Sequence, residues 1–205
     1  VLPSGVPAAR EDFSASTPRG FSAFRWFGGG NYNRFVGGQH CSLGIMDDWI
    51  SWTVRPQTPQ AAFYPQPALV GDGRVSGEFS IESNVYDTNP LTLFARVYDR
   101  GLPAMDQDDV RVEVYLSGQI VLASRLNGIV QALGSATVSP LARGSIHTWA
   151  LELDGNQARF SLDGTLLIQA SGTLPALGYI QWKVPFWMHA HVGNLKVDLL
   201  GSTVP

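Results

Sequence analysis

One cysteine, Cys41, stands in 205 residues. No disulfide can close within the chain, and no cysteine cluster can hold a metal ion. Charge is scarce as well. Charged residues make up 15% of the chain, against about 25% in ordinary soluble domains, so much of the surface must be uncharged polar, glycine or apolar. Sugar-binding faces and contacts within a larger assembly both use such surface. The net charge is −3, and the only lysines are Lys183 and Lys196. With no basic run, the chain offers nothing to nucleic acid. No segment nears the ~20 apolar residues of a membrane span. The opening VLPSGVPAARED has neither the charged leader nor the apolar run of a secretion signal. It reads as the start of a processed chain or an excised domain, with residues 1–10 as an extension or arm. No linker divides the rest, so one domain is expected over 1–205.

Sustained helical periodicity is also missing. What recurs is short alternation of the strand type. In DVRVEVYL, Val110, Val112, Val114 and Leu116 share one face against Arg111, Glu113 and Tyr115. LTLFARVYD sets Leu91, Leu93, Ala95 and Val97 against Thr92, Phe94, Arg96 and Tyr98, and RVSGEFSIE alternates Val75, Phe79 and Ile81 less regularly. The clearest stretch is HTWALELDGNQARFSLDGTLLIQASG. There Trp149, Leu151 and Leu153, then Ala158, Phe160 and Leu162, then Leu166 and Ile168 alternate inward. DGN and Asp163-Gly164 turn the chain between these runs, which predicts a three-stranded antiparallel meander. About a dozen such segments lie between residues 20 and 200, at the spacing of an all-β sandwich.

The order of these elements resembles the concanavalin A-like, laminin G-like jelly-roll superfamily. EDFS (11–14) resembles its opening, and FARVYD…DDVRVEVYL its paired central strands. TWALELDGNQARFSLDGTLLIQASGTLPALGYIQWKV resembles its closing hairpins, and AHVGNLKVDLL the final strand that pairs with the first. The resemblance spans about residues 11 to 200 and is weakest over 20–72. It implies two curved antiparallel sheets in a single jelly roll, one with a concave polar and aromatic face. A structural calcium near the paired termini is also implied, with Asp12 and Asp198 as its acidic ligands and DQDD (106–109) as a rival. The superfamily holds lectins, adhesion modules, viral domains, glycosidases and lyases, so the fold does not choose a function.

Catalytic patterns are thin. In GEFSIE, Glu78, Ser80 and Glu82 share a strand face, and the segment resembles the Glu-x-Asp-x-Glu of family 16-type glycosidases with Ser80 in place of the central Asp. A retaining pair needs carboxyl groups about 5–5.5 Å apart, whereas flat-strand spacing separates these backbones by about 13 Å. GNYNRF bears a faint likeness to an alginate-lyase strand through Tyr32. No G-x-S-x-G elbow is present, Cys41 and His40 are neighbours that face opposite sides of a strand, and GGGN lacks the Gly-Lys-Ser/Thr of a phosphate loop. His189 and His191 in WMHAH share a face without a visible third metal ligand.

The aromatic residues remain. Six tryptophans are many for this length, and FRWFGGGNYNRFVGGQHC (24–41) gathers aromatics, arginines and glycines in one place. The residues expected to meet a ligand are Trp26, Tyr32, Arg34, His40, Trp52, Trp187, His189 and His191. Flat aromatics stack on sugar rings while Asn, Arg and His reach hydroxyls, and the same residues anchor protein interfaces. The leading expectation is a non-catalytic glycan-binding or adhesion module without a required cofactor, in an extracellular, cell-surface or virion setting. A structural or interaction domain that meets protein partners or further copies of itself is the first alternative. A glycosidase or lyase using Glu78 and Glu82 is the second.

Overall fold

A computed structural model describes residues 9–11, 21–27, 32–36, 39–43, 48–54, 71–84, 88–98, 108–185 and 188–199, with backbone only over residues 9–54 and at positions 98, 179, 181 and 199. Among the described residues, fifteen strands form two antiparallel sheets and no helix occurs. They are β1 (Ala9–Glu11), β2 (Phe21–Phe27), β3 (Tyr32–Val36), β4 (Gln39–Leu43), β5 (Asp48–Val54), β6 (Gly73–Asn84), β7 (Leu91–Tyr98), β8 (Asp108–Val114), β9 (Gln119–Leu126), β10 (Ile129–Thr137), β11 (His147–Asp154), β12 (Gln157–Leu162), β13 (Thr165–Ser171), β14 (Tyr179–Val184) and β15 (Met188–Leu199). The eight-stranded sheet runs β13-β12-β11-β6-β15-β4-β3, with β1 paired to β15. The seven-stranded sheet runs β10-β9-β8-β7-β14-β5-β2. The first and last strands thus pair, and they do so from Ala9, inside the stretch expected as an arm.

Alternation decides which side chains meet between the sheets. Val75, Phe79 and Ile81 of β6 and Leu151 and Leu153 of β11 pack in one core with Leu91 and Leu93 of β7 and Val110, Val112 and Val114 of β8. The meander forms as its turns demand: Asp163 and Gly164 both hold positive φ, the conformation a tight two-residue hairpin turn needs. One expectation fails there. Leu166 is 51% exposed, because a bulge pairs Phe160 with Ile168 but Ser161 with Leu166. The extra residue shifts the alternation, so Leu167 packs against the core in place of Leu166.

Arg96 departs furthest from alternation. It has φ +51° at a bulge in the β7–β8 pairing and is 1% exposed. Its guanidinium donates to the carbonyls of Gly71, Gly155 and Pro175 and to Asp72 Oδ1, the last at 2.6 Å. A strand of the seven-stranded sheet is thereby tied to the approach to β6, the β11–β12 turn and the chain after β13. A buried guanidinium is tolerated because its donors are matched by carbonyls and a carboxylate.

Candidate functional site

The outer face of the seven-stranded sheet carries polar side chains where a half-buried sheet would carry solvent-facing ones. Register aligns Lys183 on β14 with Thr92 on β7, and Thr92 with Glu113 on β8. At one strand spacing per step, the ammonium-bearing and carboxylate-bearing strands stand roughly 10 Å apart. Phe94 pairs with Arg111 in the adjacent row, and the Arg111 guanidinium lies 5.7 Å from the Phe94 ring centroid. These residues, with Tyr115, line a cavity of about 350 Å³ rimmed by Asn89, Pro90 and Pro185.

Arg111, Glu113 and Tyr115 are held in place by hydrogen bonds. Arg111 grips Asp109 with both prongs, Nε to Oδ1 at 2.7 Å and Nη2 to Oδ2 at 2.8 Å. Burial pushes the Asp109 carboxyl up to about 6, with Arg111 pulling in the opposite direction. Tyr115 Oη donates to Glu113 Oε2 at 3.0 Å. Burial, together with the Glu113 charge, pushes that phenol up to about 12, so it remains a donor. The cavity therefore presents an acceptor at Glu113, donors at Arg111 and Lys183, and a hydroxyl at Thr92 over the buried Phe94 ring.

A second groove, of about 260 Å³, lies on the outer face of the eight-stranded sheet and is lined by Arg74, Glu78, Thr148, Trp149, Asn194 and Lys196. Its charges are largely paired within the protein. Asn194 donates to Glu78 at 2.7 Å, Arg74 meets Glu152 at 3.3 Å, and Lys196 meets Asp198 at 3.1 Å.

The two glycosidase candidates, Glu78 and Glu82, both lie on β6. Glu78 lines this groove, whereas Glu82 does not. Glu82 is the unpaired residue of a bulge, since His189 pairs with Ser83 and Ala190 with Ile81. It accepts a hydrogen bond from Ser80 at 2.8 Å.

The expected binding residues fall on different sheets. Trp26 and Trp52 belong to β2 and β5 of the seven-stranded sheet, and Tyr32, Arg34 and His40 to β3 and β4 of the eight-stranded one. The stretch 24–41 thus passes from one sheet to the other. The side chains of these five lie outside the described residues, as do Trp187 and Asp12. His189 and His191 are adjacent, with Nε2 atoms 3.3 Å apart. Asp198 Oδ1 is buried without a hydrogen-bond partner. Of the DQDD stretch, Asp108 accepts from the Asn127 amide and Asp109 is engaged by Arg111. No group of three metal-ligating side chains occurs among the described residues.

Sequence reading missed one relay. Ser145 Oγ lies 2.7 Å from His147 Nε2, and His147 Nδ1 lies 2.8 Å from Asp163 Oδ2, the connectivity of a hydrolytic triad. Burial raises the Asp163 carboxyl, but His147 and the Thr148 amide together hold it below its ordinary range. The Ser145 hydroxyl also meets the Ala142 carbonyl, and the Gly144 and Ser145 amides donate to Ile81 and Ala142. With those amides engaged they form no oxyanion hole, and the relay reads as a clasp between the loop before β11 and the β12–β13 turn.

No protein-family model matches the chain, and no curated protein matches it. Among solved structures, a Bacillus subtilis protein of unknown function with a galectin-like fold is 13% identical, covering 95% of this chain and 96% of its own, with TM-score 0.71. A carbohydrate binding module from Bacillus subtilis is 14% identical over 84% of this chain and 94% of its own, with TM-score 0.62. The Bacillus licheniformis beta-glucanase is 13% identical over 93% and 97%, with TM-score 0.65. The chain has the concanavalin A-like jelly-roll fold that these structures share.

Proposed function

We propose that this chain is a non-catalytic carbohydrate-binding module whose ligand lies across β14, β7 and β8. The row Lys183–Thr92–Glu113, with Arg111 and Phe94 beside it, carries this reading. A sugar presents hydroxyls that both donate and accept above an apolar ring face. This row offers donors and an acceptor over an aromatic floor, in a cavity of suitable size for part of a drug-sized or oligosaccharide ligand. Among the described residues, Glu113 has no second unpaired carboxylate beside it to act as acid or nucleophile, since Asp109 is locked to Arg111. Likeness to a carbohydrate binding module supports the reading, and likeness to a glucanase keeps depolymerisation as the competing outcome. An extracellular or cell-surface setting follows from polysaccharide ligands, and Trp26, Tyr32, Arg34, His40, Trp52 and Trp187 remain proposed contributors.

A panel of soluble polysaccharides in affinity electrophoresis, scored for retention and for chain cleavage, tests this. Retention without cleavage is expected. Chain cleavage by the unsubstituted protein would return the function to a glycosidase or lyase, and its loss in Glu113→Gln would place the chemistry at this cavity.

A second reading rests on β10, the last strand of the seven-stranded sheet. Ile129 and Val130 at its start are 73% and 53% exposed. Exposed apolar residues on an edge strand suit pairing with another chain. Light scattering across a concentration series tests it, and a monomer at all concentrations argues against self-assembly.

A further inference from the structure

We propose that His189 and His191 form a binding site for a divalent transition-metal ion of the zinc class, on the outer face of the eight-stranded sheet. Both imidazoles project from β15, whose intervening Ala190 and following Val192 are buried in the core. The strand is therefore anchored, and the two rings are held on a rigid element.

The spacing of the two nitrogens suits a shared ion. With zinc–nitrogen bonds of about 2.05 Å in a tetrahedral site, two ligand nitrogens lie roughly 3.3–3.4 Å apart. The two Nε2 atoms are 3.3 Å apart. An N–H···N hydrogen bond between the two rings has the same spacing, and a bound ion would replace it. The ring centroids lie 5.0 Å apart with planes tilted by 50°. Negative charge lies one strand away: Ser80, in register with His191, donates to the Glu82 carboxylate. On the other side of β15 the register sets Cys41 of β4 opposite His191. Neutral imidazole is a ligand of choice for zinc, copper and nickel, and a poor one for calcium or magnesium.

The test uses the full chain, treated with chelator and titrated with zinc chloride by calorimetry, with nitrogen spectra of the histidine rings recorded in parallel. One-to-one binding is expected, with the Nε2 signals of both His189 and His191 displaced in the unsubstituted protein. His189→Gln and His191→Gln should each weaken binding at least tenfold. The ring spectra stand even if a variant fails to fold. Three results overturn the proposal: no binding up to about 1 mM zinc, a range far weaker than structural zinc sites; displacement of His147 or His40 signals alone; or affinity that survives both histidine substitutions and disappears in Cys41→Ser, which would assign the ion to the thiol.

Discussion

Arg96 and Asp72 are joined at 2.6 Å, and the same Asp72 oxygen accepts the Gly155 amide at 2.7 Å. One carboxylate thus links β7 of one sheet to the β11–β12 turn of the other. Arg96→Ala removes that link and takes the donor from the Gly71, Gly155 and Pro175 carbonyls, the last of them buried. Each lost hydrogen bond contributes about 0.5–1.5 kcal/mol, so denaturant unfolding should show a loss of at least about 2 kcal/mol. Asp72→Asn should lose less, because the Asp72 side chain is 45% exposed and partly rehydrates.

Gly178 explains how Arg96 fits. A Cβ at position 178 would lie 2.1 Å from the Arg96 carbonyl carbon, and that neighbour is backbone, which cannot step aside. Gly178→Ala is expected to destabilise the fold by at least about 2 kcal/mol, in the range of severe overpacking. Circular dichroism melting checks this, and an unchanged midpoint would show that β14 can move away from β7.

Asp109 gives the fold a pH signature. Its folded-state value near 6 lies above the ordinary carboxyl value of about 3.9. Its contribution to stability is therefore fully present below about pH 4 and is lost as pH rises through about 6. Relative to Asp109→Asn, the unsubstituted chain should gain on the order of 2 kcal/mol between pH 7 and 4. Protonation also frees Arg111 from its clamp, so glycan retention should fall over the same interval. Unfolding curves and affinity gels at matched pH values read both.

Glu113→Gln separates binding from stability. It removes a charged acceptor from the cavity, and a hydrogen bond to a charged group contributes about 1.5–3 kcal/mol, so glycan affinity should fall at least tenfold while the melting point stays nearly constant. The Tyr115 phenol should also titrate lower, since the Glu113 charge no longer holds its proton. An ultraviolet pH titration measures that shift without any ligand.

Much of the architecture was legible locally. Alternation in β7, β8, β11 and β12 placed Leu93, Val112, Leu151 and Phe160 in the core, because a strand's side chains have a period of two whatever sheet it joins. Asp163-Gly164 announced its turn through backbone conformation alone. Leu166 went the other way because a bulge one residue long reverses every later position, and a bulge leaves no clear mark in a single strand.

The candidate site was legible only in pieces. Thr92, Phe94, Arg111 and Glu113 all sat on the polar side of visible alternations, yet nothing in either segment says that Lys183 completes their row. Residues 24–41 looked like one cluster and proved to span two sheets. Sequence by itself determined the all-β class, the meander and the facing of the central strands, since those follow from neighbours two to ten residues apart. The tertiary structure alone decided which strands are adjacent, and so the Lys183–Thr92–Glu113 row and the Arg96–Asp72 link. Antiparallel pairing between distant segments is set by the shared core and by bulges, and neither is written in any short stretch of the chain.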